Sequence, residues 1–305
     1  MATTSSDQLA RWGLRLLYRS GWQIGPRLPE SAQNLIINLG ARIAVARGGR
    51  HLDQFAENLR YATGRRPDDQ LLRAGVASYL RNLIEAFALP GWSRSKIIGR
   101  VTTSGEGDLR RAAAGEGAVV ALPHSGNWDL AGAWACVTGM AVSTVAEQLD
   151  DPEFAAFTTF RESLGMQVIS HRDPAALPKL VTAVRDGRVV CLVADRDLLG
   201  SGVPVTWNAH PVRMPAGPAL VARRSGAALF PMVGRYHGDG LQLDIGPRIR
   251  HRPGRDGLIA MVQEQADYFA EQIRRAPQDW HLMQPFFGAD RVAADSTTSG
   301  GADRR

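Results

Sequence analysis

Lysine is almost absent from this sequence: Lys96 and Lys179 are the only two among 36 basic residues, so the formal charge of +6 rests on arginine. Cysteine is as scarce. Cys136 and Cys191 both lie in apolar surroundings, which argues against a disulfide scaffold or a zinc cluster and predicts buried thiols. Long apolar runs are missing too. The longest stretch without charge, Leu130 to Ala146, falls short of the roughly 20 residues that span a bilayer and is broken by Gly132 and Gly139. No transmembrane helix is expected, so any membrane contact has to be made from the surface. The opening MATTSSDQLARWGLRLLYRSGW lacks the basic n-region, apolar stretch and cleavage site of a secretory signal, which predicts a protein that stays in the cytoplasm.

What the chain has is core material. Of 305 residues, 44% are apolar and 22% charged, enough for one large domain or two smaller ones and too much for disorder as the main state. The charge is unevenly spread: residues 1–66 hold ten arginines against Asp7, Glu30, Asp53 and Glu57, whereas basic and acidic residues balance from residue 67 on. Such asymmetry points the basic region at an anionic partner, nucleic acid or membrane.

The first 66 residues read as helices. Leu9, Trp12, Leu16 and Leu17 form an apolar face beside the Arg11, Arg15, Arg19 stripe, which suits either a helix lying among lipid headgroups or one capping a core with a solvated basic face. A second apolar segment runs from Asn34 to Val45, followed by Arg47 and Arg50. An amphipathic helix with an acidic first turn follows from Asp68 and ends at Pro90-Gly91; its pattern implies packing, not catalysis. Beyond it, β-rich runs (118–122, 141–146, 166–170, 188–194, 227–236, 241–246) alternate with helix candidates (129–138, 152–164, 174–186, 214–225, 256–274). This predicts an α/β fold, a central, mostly parallel or mixed sheet flanked by helices, with an N-terminal helical membrane-facing segment. The expected division is 1–66 as a basic amphipathic segment packed on the core, 67–288 as the α/β core and 289–305 as a disordered tail.

The segment AVVALPHSGNWD carries the chemistry. A buried strand ends at Pro123 and places His124 at its C-terminal mouth, where ligands of open α/β sheets sit. A histidine can take a proton from a hydroxyl, and a carboxylate on its other ring nitrogen fixes the tautomer. Asp129, five residues on, is a candidate for that carboxylate, with Gly126 permitting the chain reversal; a helix-capping Asp beside a satisfied loop histidine is the alternative. The N–H groups near Gly126, Asn127 and Trp128, at a helix N-terminus, offer a site for a developing oxyanion. Glu147 lies at a second strand mouth, suited either to a sugar hydroxyl or to solvent, and Asp195-Arg196-Asp197 forms a third. If the sheet brings that third mouth beside His124, one of its carboxylates reaches the imidazole or the acceptor, Asp197 being the first choice. A serine hydrolase built on Ser125 lacks the G-x-S-x-G elbow. No His/Cys/Asp cluster has metal-ligand spacing, and no nucleic-acid module or interleaved aromatics accompany the basic region.

LPHSGNWDLAG with its preceding strand resembles the His-x4-Asp motif of glycerolipid and lipid A type acyltransferases, in their bacterial lauroyl/myristoyl branch. Within that branch the chain is most similar to the actinobacterial phosphatidylinositol mannoside acyltransferases. YLRNLIEAF, STVAEQLDDPEF, RESLGMQVI, VADRDLLGSGVPVTW, PAGPALVARRSGAALFP and PQDWHLMQPFF carry the resemblance over roughly residues 8 to 288. It implies transfer of a fatty acyl group from acyl-CoA, palmitoyl-CoA above all, to a hydroxyl of a mannosylated phosphatidylinositol. It further implies a monomer held peripherally on the anionic cytoplasmic face of the cell membrane, with no nucleic acid, cofactor or metal. His124 corresponds to the general base and Asp129 to its orienting carboxylate. Arg161 corresponds to a phosphate contact, unless it simply pairs with Glu153 or Glu162. The acyl chain then needs an apolar pocket, expected near Trp134, Met140 and Phe154. Another glycolipid such as lipid A as acceptor, or water in a hydrolase, stays open at this stage.

Overall fold

The computed structural model describes residues 21, 24–146, 152–197 and 200–287, the side chains of 152–157 excepted. The expected Leu9–Arg19 amphipathic stripe, Glu147 and the 289–305 tail lie outside the described residues.

Two helices, α1 (Glu30–Arg47) and α2 (Arg50–Thr63), lead into α3 (Asp69–Ala88). Asp68 caps α3 by accepting the Leu71 N–H at 2.8 Å, as its acidic start implies. Short helices α4 (Arg94–Gly99) and α5 (Glu106–Ala114) flank strand β1 (Val101–Ser104). An alternating region follows: β2 (Ala118–Leu122), α6 (Trp128–Val137), β3 (Val142–Ala146), α7 (Pro152–Ser163), β4 (Gln167–Ser170), α8 (Ala176–Arg185) and β5 (Val189–Val193). Then come β6 (Val203–Trp207), β7 (His210–Met214), α9 (Gly217–Ser225), β8 (Ala228–His237), β9 (Gly240–Ile245) and α10 (Gly254–Arg275).

Seven strands form one sheet in the order β1-β9-β8-β2-β5-β3-β4. Five run parallel, from β8 to β4, while β9 turns back antiparallel to β8 and β1 runs alongside it. The mixed, helix-flanked sheet is the predicted one. Alternation along β2 splits the core: Val119 and Ala121 face one layer, Ala118, Val120 and Leu122 the other. The first layer contains α8, α9, α10 and residues 280–287; the second contains α4, α5 and α6.

The pattern did not anticipate β1 with its flanking helices α4 and α5, nor the β6–β7 hairpin. The hairpin turns on Asn208 and Ala209 alone, both at positive φ (47° and 67°), the geometry of a two-residue primed turn. Alanine where glycine is usual hides the signal. Toward the N-terminus, α2 buries Phe55, Leu59 and Ala62, and α1 buries Ile37 and Ala41. The opposite side of α1 leaves Leu35, Ile36, Leu39 and Ile43 exposed, with Arg42 and Arg47 exposed beside them. No helix among the described residues is long and apolar enough to cross a membrane.

Candidate active site

Strands β2 and β5 are adjacent and in register, Leu122 opposite Val193, so two residues further on His124 stands opposite Asp195. Their side chains meet: His124 Nδ1 lies 2.6 Å from Asp195 Oδ1, and the His124 backbone N–H donates to Oδ2 at 3.0 Å. The Trp280 indole N–H donates to the same Oδ2 at 2.9 Å. Burial works against charge on Asp195, but the His124 ring and these donors outweigh it and hold the carboxyl below its ordinary range. A carboxylate only accepts, so the imidazole proton sits on Nδ1 and Nε2 is left as the basic nitrogen. The ring is partly exposed and lines a cavity.

Asp129 does not occupy the position expected of it. Asn127 caps α6, its Oδ1 accepting the Leu130 N–H at 2.9 Å, so Asp129 falls inside the first helical turn. There its Oδ1 accepts from Arg161 Nε at 2.7 Å, and the carboxylate that orients His124 is Asp195. Arg161 is thus paired with Asp129, a partner the alternative did not include, and both line the cavity; the Glu153 side chain lies outside the described residues. Burial disfavours the charge on Arg161, and Asp129 more than compensates, raising its pKa. Asp197, the first choice among the three-residue mouth, accepts the Gly202 N–H at 2.7 Å instead, so it anchors the approach to the hairpin.

The oxyanion expectation also shifts. The Gly126 N–H is spent on the Asp279 carbonyl at 2.9 Å, whereas the Asn127 side-chain amide donates to Glu85 at 2.9 Å and its backbone N–H has no acceptor among the described residues. The N–H groups of Trp128 and Asp129, first in α6, have no acceptor among the described residues. They, with the helix dipole behind them, are what the site offers to negative charge. Gly126 itself must be glycine: φ is 63°, and a Cβ there would meet the Gly234 carbonyl carbon at 2.8 Å. Ser125 is buried with its hydroxyl on the Gly234 carbonyl at 2.8 Å, which removes it as a nucleophile.

Residues 279–281 brace this loop from far along the sequence. The His281 N–H donates to the His124 carbonyl at 2.7 Å, and Ser125 bridges Trp280. Ser78 donates to Asp279 at 2.6 Å and so accepts from His281 Nε2 at 2.9 Å. Burial, reinforced by the His124 ring, pushes the His281 pKa down to about 3 and keeps it neutral. His281 is thus a buried structural histidine. Nothing in local spacing marks these three residues; only the fold does.

The cavity measures about 370 Å³, within the roughly 300–1,000 Å³ of small-ligand sites. Its walls are mostly apolar, and they include Trp134 and Met140, as expected of an acyl pocket; the Phe154 side chain lies outside the described residues. Cys191 is half-buried on this wall, and burial pushes its thiol up to about 12. Helix α3, read as packing only, contributes Tyr79, Asn82, Leu83 and Ala86.

A histidine with a carboxylate behind it and an apolar chamber before it matches the sequence comparisons. The profile of the bacterial lipid A biosynthesis acyltransferases matches residues 2–288. The chain belongs to that family. It is an acyltransferase, 40% identical over 281 residues to the phosphatidylinositol mannoside acyltransferase of Mycolicibacterium smegmatis, covering 90% of this chain and 91% of that one. It is 39% identical over 283 residues to the phosphatidylinositol mannoside acyltransferase of Mycobacterium tuberculosis, covering 90% and 88%. Among the described residues, no group of three or more His, Cys, Asp or Glu is placed to hold a metal ion.

Proposed function

We propose that this acyltransferase moves a fatty acyl group, palmitoyl above all, from acyl-CoA to a mannose hydroxyl of a phosphatidylinositol mannoside. The observation that carries the reading is the His124–Asp195 pair at the wall of an apolar cavity. His124 Nε2 takes the proton of the acceptor hydroxyl. The oxygen attacks the thioester carbonyl, Asp195 stabilises the imidazolium, and the Trp128 and Asp129 N–H groups face the oxyanion. Collapse expels the CoA thiolate, which recovers the proton from His124. Arg161, fixed on Asp129, sets the cationic side of the same cavity and is suited to a substrate phosphate.

Exposed Leu35, Ile36, Leu39 and Ile43 on α1, flanked by Arg42 and Arg47, support peripheral docking to the anionic cytoplasmic face of the membrane. The family profile is that of lipid A biosynthesis, so lipid A is the second acceptor to try. Radiolabelled palmitoyl-CoA incubated with each acceptor, and with none, tests the reading. Label is expected in the mannoside; release of free fatty acid at the full rate without acceptor would make the protein a hydrolase. His124→Ala is expected to abolish transfer with the fold intact, and Asp195→Asn to slow it more than Asp129→Asn does.

A further inference from the structure

Most polar groups around the cavity already have partners: His124 is held by Asp195, and Asp129 by Arg161. Asn82 differs. It lines the cavity at only 6% exposure, and its Oδ1 is buried with no hydrogen-bond partner among the described residues. Leaving a carboxamide oxygen buried and unpaired is unfavourable in the free protein, and a ligand that brings a donor removes the penalty.

The place of Asn82 on α3 narrows what that ligand group is. Tyr79, three residues before it, lies edge-on to His281 at 5.9 Å. Glu85, three residues after it, accepts from Asn127, the cap of α6, at 2.9 Å. With about 1.5 Å of rise per residue, Asn82 stands roughly 4.5 Å along the axis from each. It therefore faces the reactive end of the cavity, beside the first turn of α6. An alkyl chain has nothing to give a carboxamide oxygen, and a thioester carbonyl has no proton to donate. An O–H or N–H is required.

Resting on the acyl-transfer reading, we propose that Asn82 is a substrate-binding residue whose carboxamide receives a hydroxyl or amide N–H of bound substrate next to His124. Two substrates carry such a group: the sugar, in a hydroxyl neighbouring the one acylated, and the thioester donor, in the secondary amides of its arm.

The test replaces the carboxamide by an apolar group of similar size, Asn82→Leu, and compares it with the wild type. Initial rates are measured with palmitoyl-CoA and phosphatidylinositol mannoside, each varied in turn, alongside thermal melting of the free proteins. The expected result is an equal or higher Tm together with a kcat/KM lowered about tenfold or more. A raised KM for the mannoside assigns the contact to the sugar, and a raised KM for palmitoyl-CoA assigns it to the donor. Rates within twofold of wild type for both substrates would overturn the proposal. So would a lower Tm, since an amide that stabilises the free protein already has its partner there. If the Leu variant does not fold, Asn82→Ala carries the kinetic readouts alone, because the volume it removes lowers Tm by itself. Failure of the acyl-transfer reading itself shows separately, as absence of transfer by the wild type.

Discussion

The two faces of the sheet are made by the same strands and filled in opposite ways. On one, Trp207 stacks on Trp280 with ring centroids 5.5 Å apart and an interplanar angle of 13°, and Phe286 closes edge-on against both. On the other, α6 presents Ala131, Gly132 and Ala135 to the sheet and leaves a cavity. A close-packed interior tolerates such a void only where something fills it in use. The solid face thus holds Asp195 through Trp280, while the hollow face has the room that the proposed acyl chain needs.

The comparison is broken most directly on the solid side. Trp207→Ala is expected to destabilise the protein by about 3–5 kcal/mol, read from urea unfolding. A loss under ~1 kcal/mol would mean that the aromatic layer is not what supports the sheet.

At the seam between the faces, His281 makes the fold acid-sensitive. Its folded pKa, about 3, lies below the ordinary 6.5, so between those values the unfolded chain binds a proton that the folded one refuses. Stability is complete above pH 6.5 and falls as pH drops, by up to about 1.4 kcal/mol per unit. Unfolding midpoints at pH 7 and pH 5 should converge in His281→Asn relative to wild type; an unchanged gap would remove His281 as the cause.

The smallest effect is sought on the hollow side. Ala135→Phe puts a ring into the cavity, and should leave Tm near that of wild type while lowering kcat/KM for palmitoyl-CoA about tenfold relative to octanoyl-CoA. Equal losses for both donors would separate the cavity from the acyl chain.

Strand and helix alternation from Ala118 onward was legible because buried parallel strands read as short apolar runs between amphipathic windows. His124 was legible for the same reason, as the first titratable group past such a run. Its partner was not. Asp129 and Asp195 are equally reasonable carboxylates until β2 and β5 are known to be neighbours in register, and register is a tertiary fact. Even then Asp197 was preferred over Asp195, although Asp195 sits as far beyond its strand as His124 does beyond β2. Asn82 was hidden by its company: on a helix with Tyr79, Leu83 and Phe87 it reads as one polar residue in a packing face.

The brace from residues 279–281 bears on when the site comes into being. Every backbone contact it makes with the His124 loop spans more than half the chain, and Asp195 has no indole donor until Trp280 is in place. On a ribosome, which delivers the chain from its N-terminus, the sheet strands are all available before this clasp is. His124 and Asp195 are thus clasped together only after translation has passed residue 281, and a chain cut short upstream lacks that fastening.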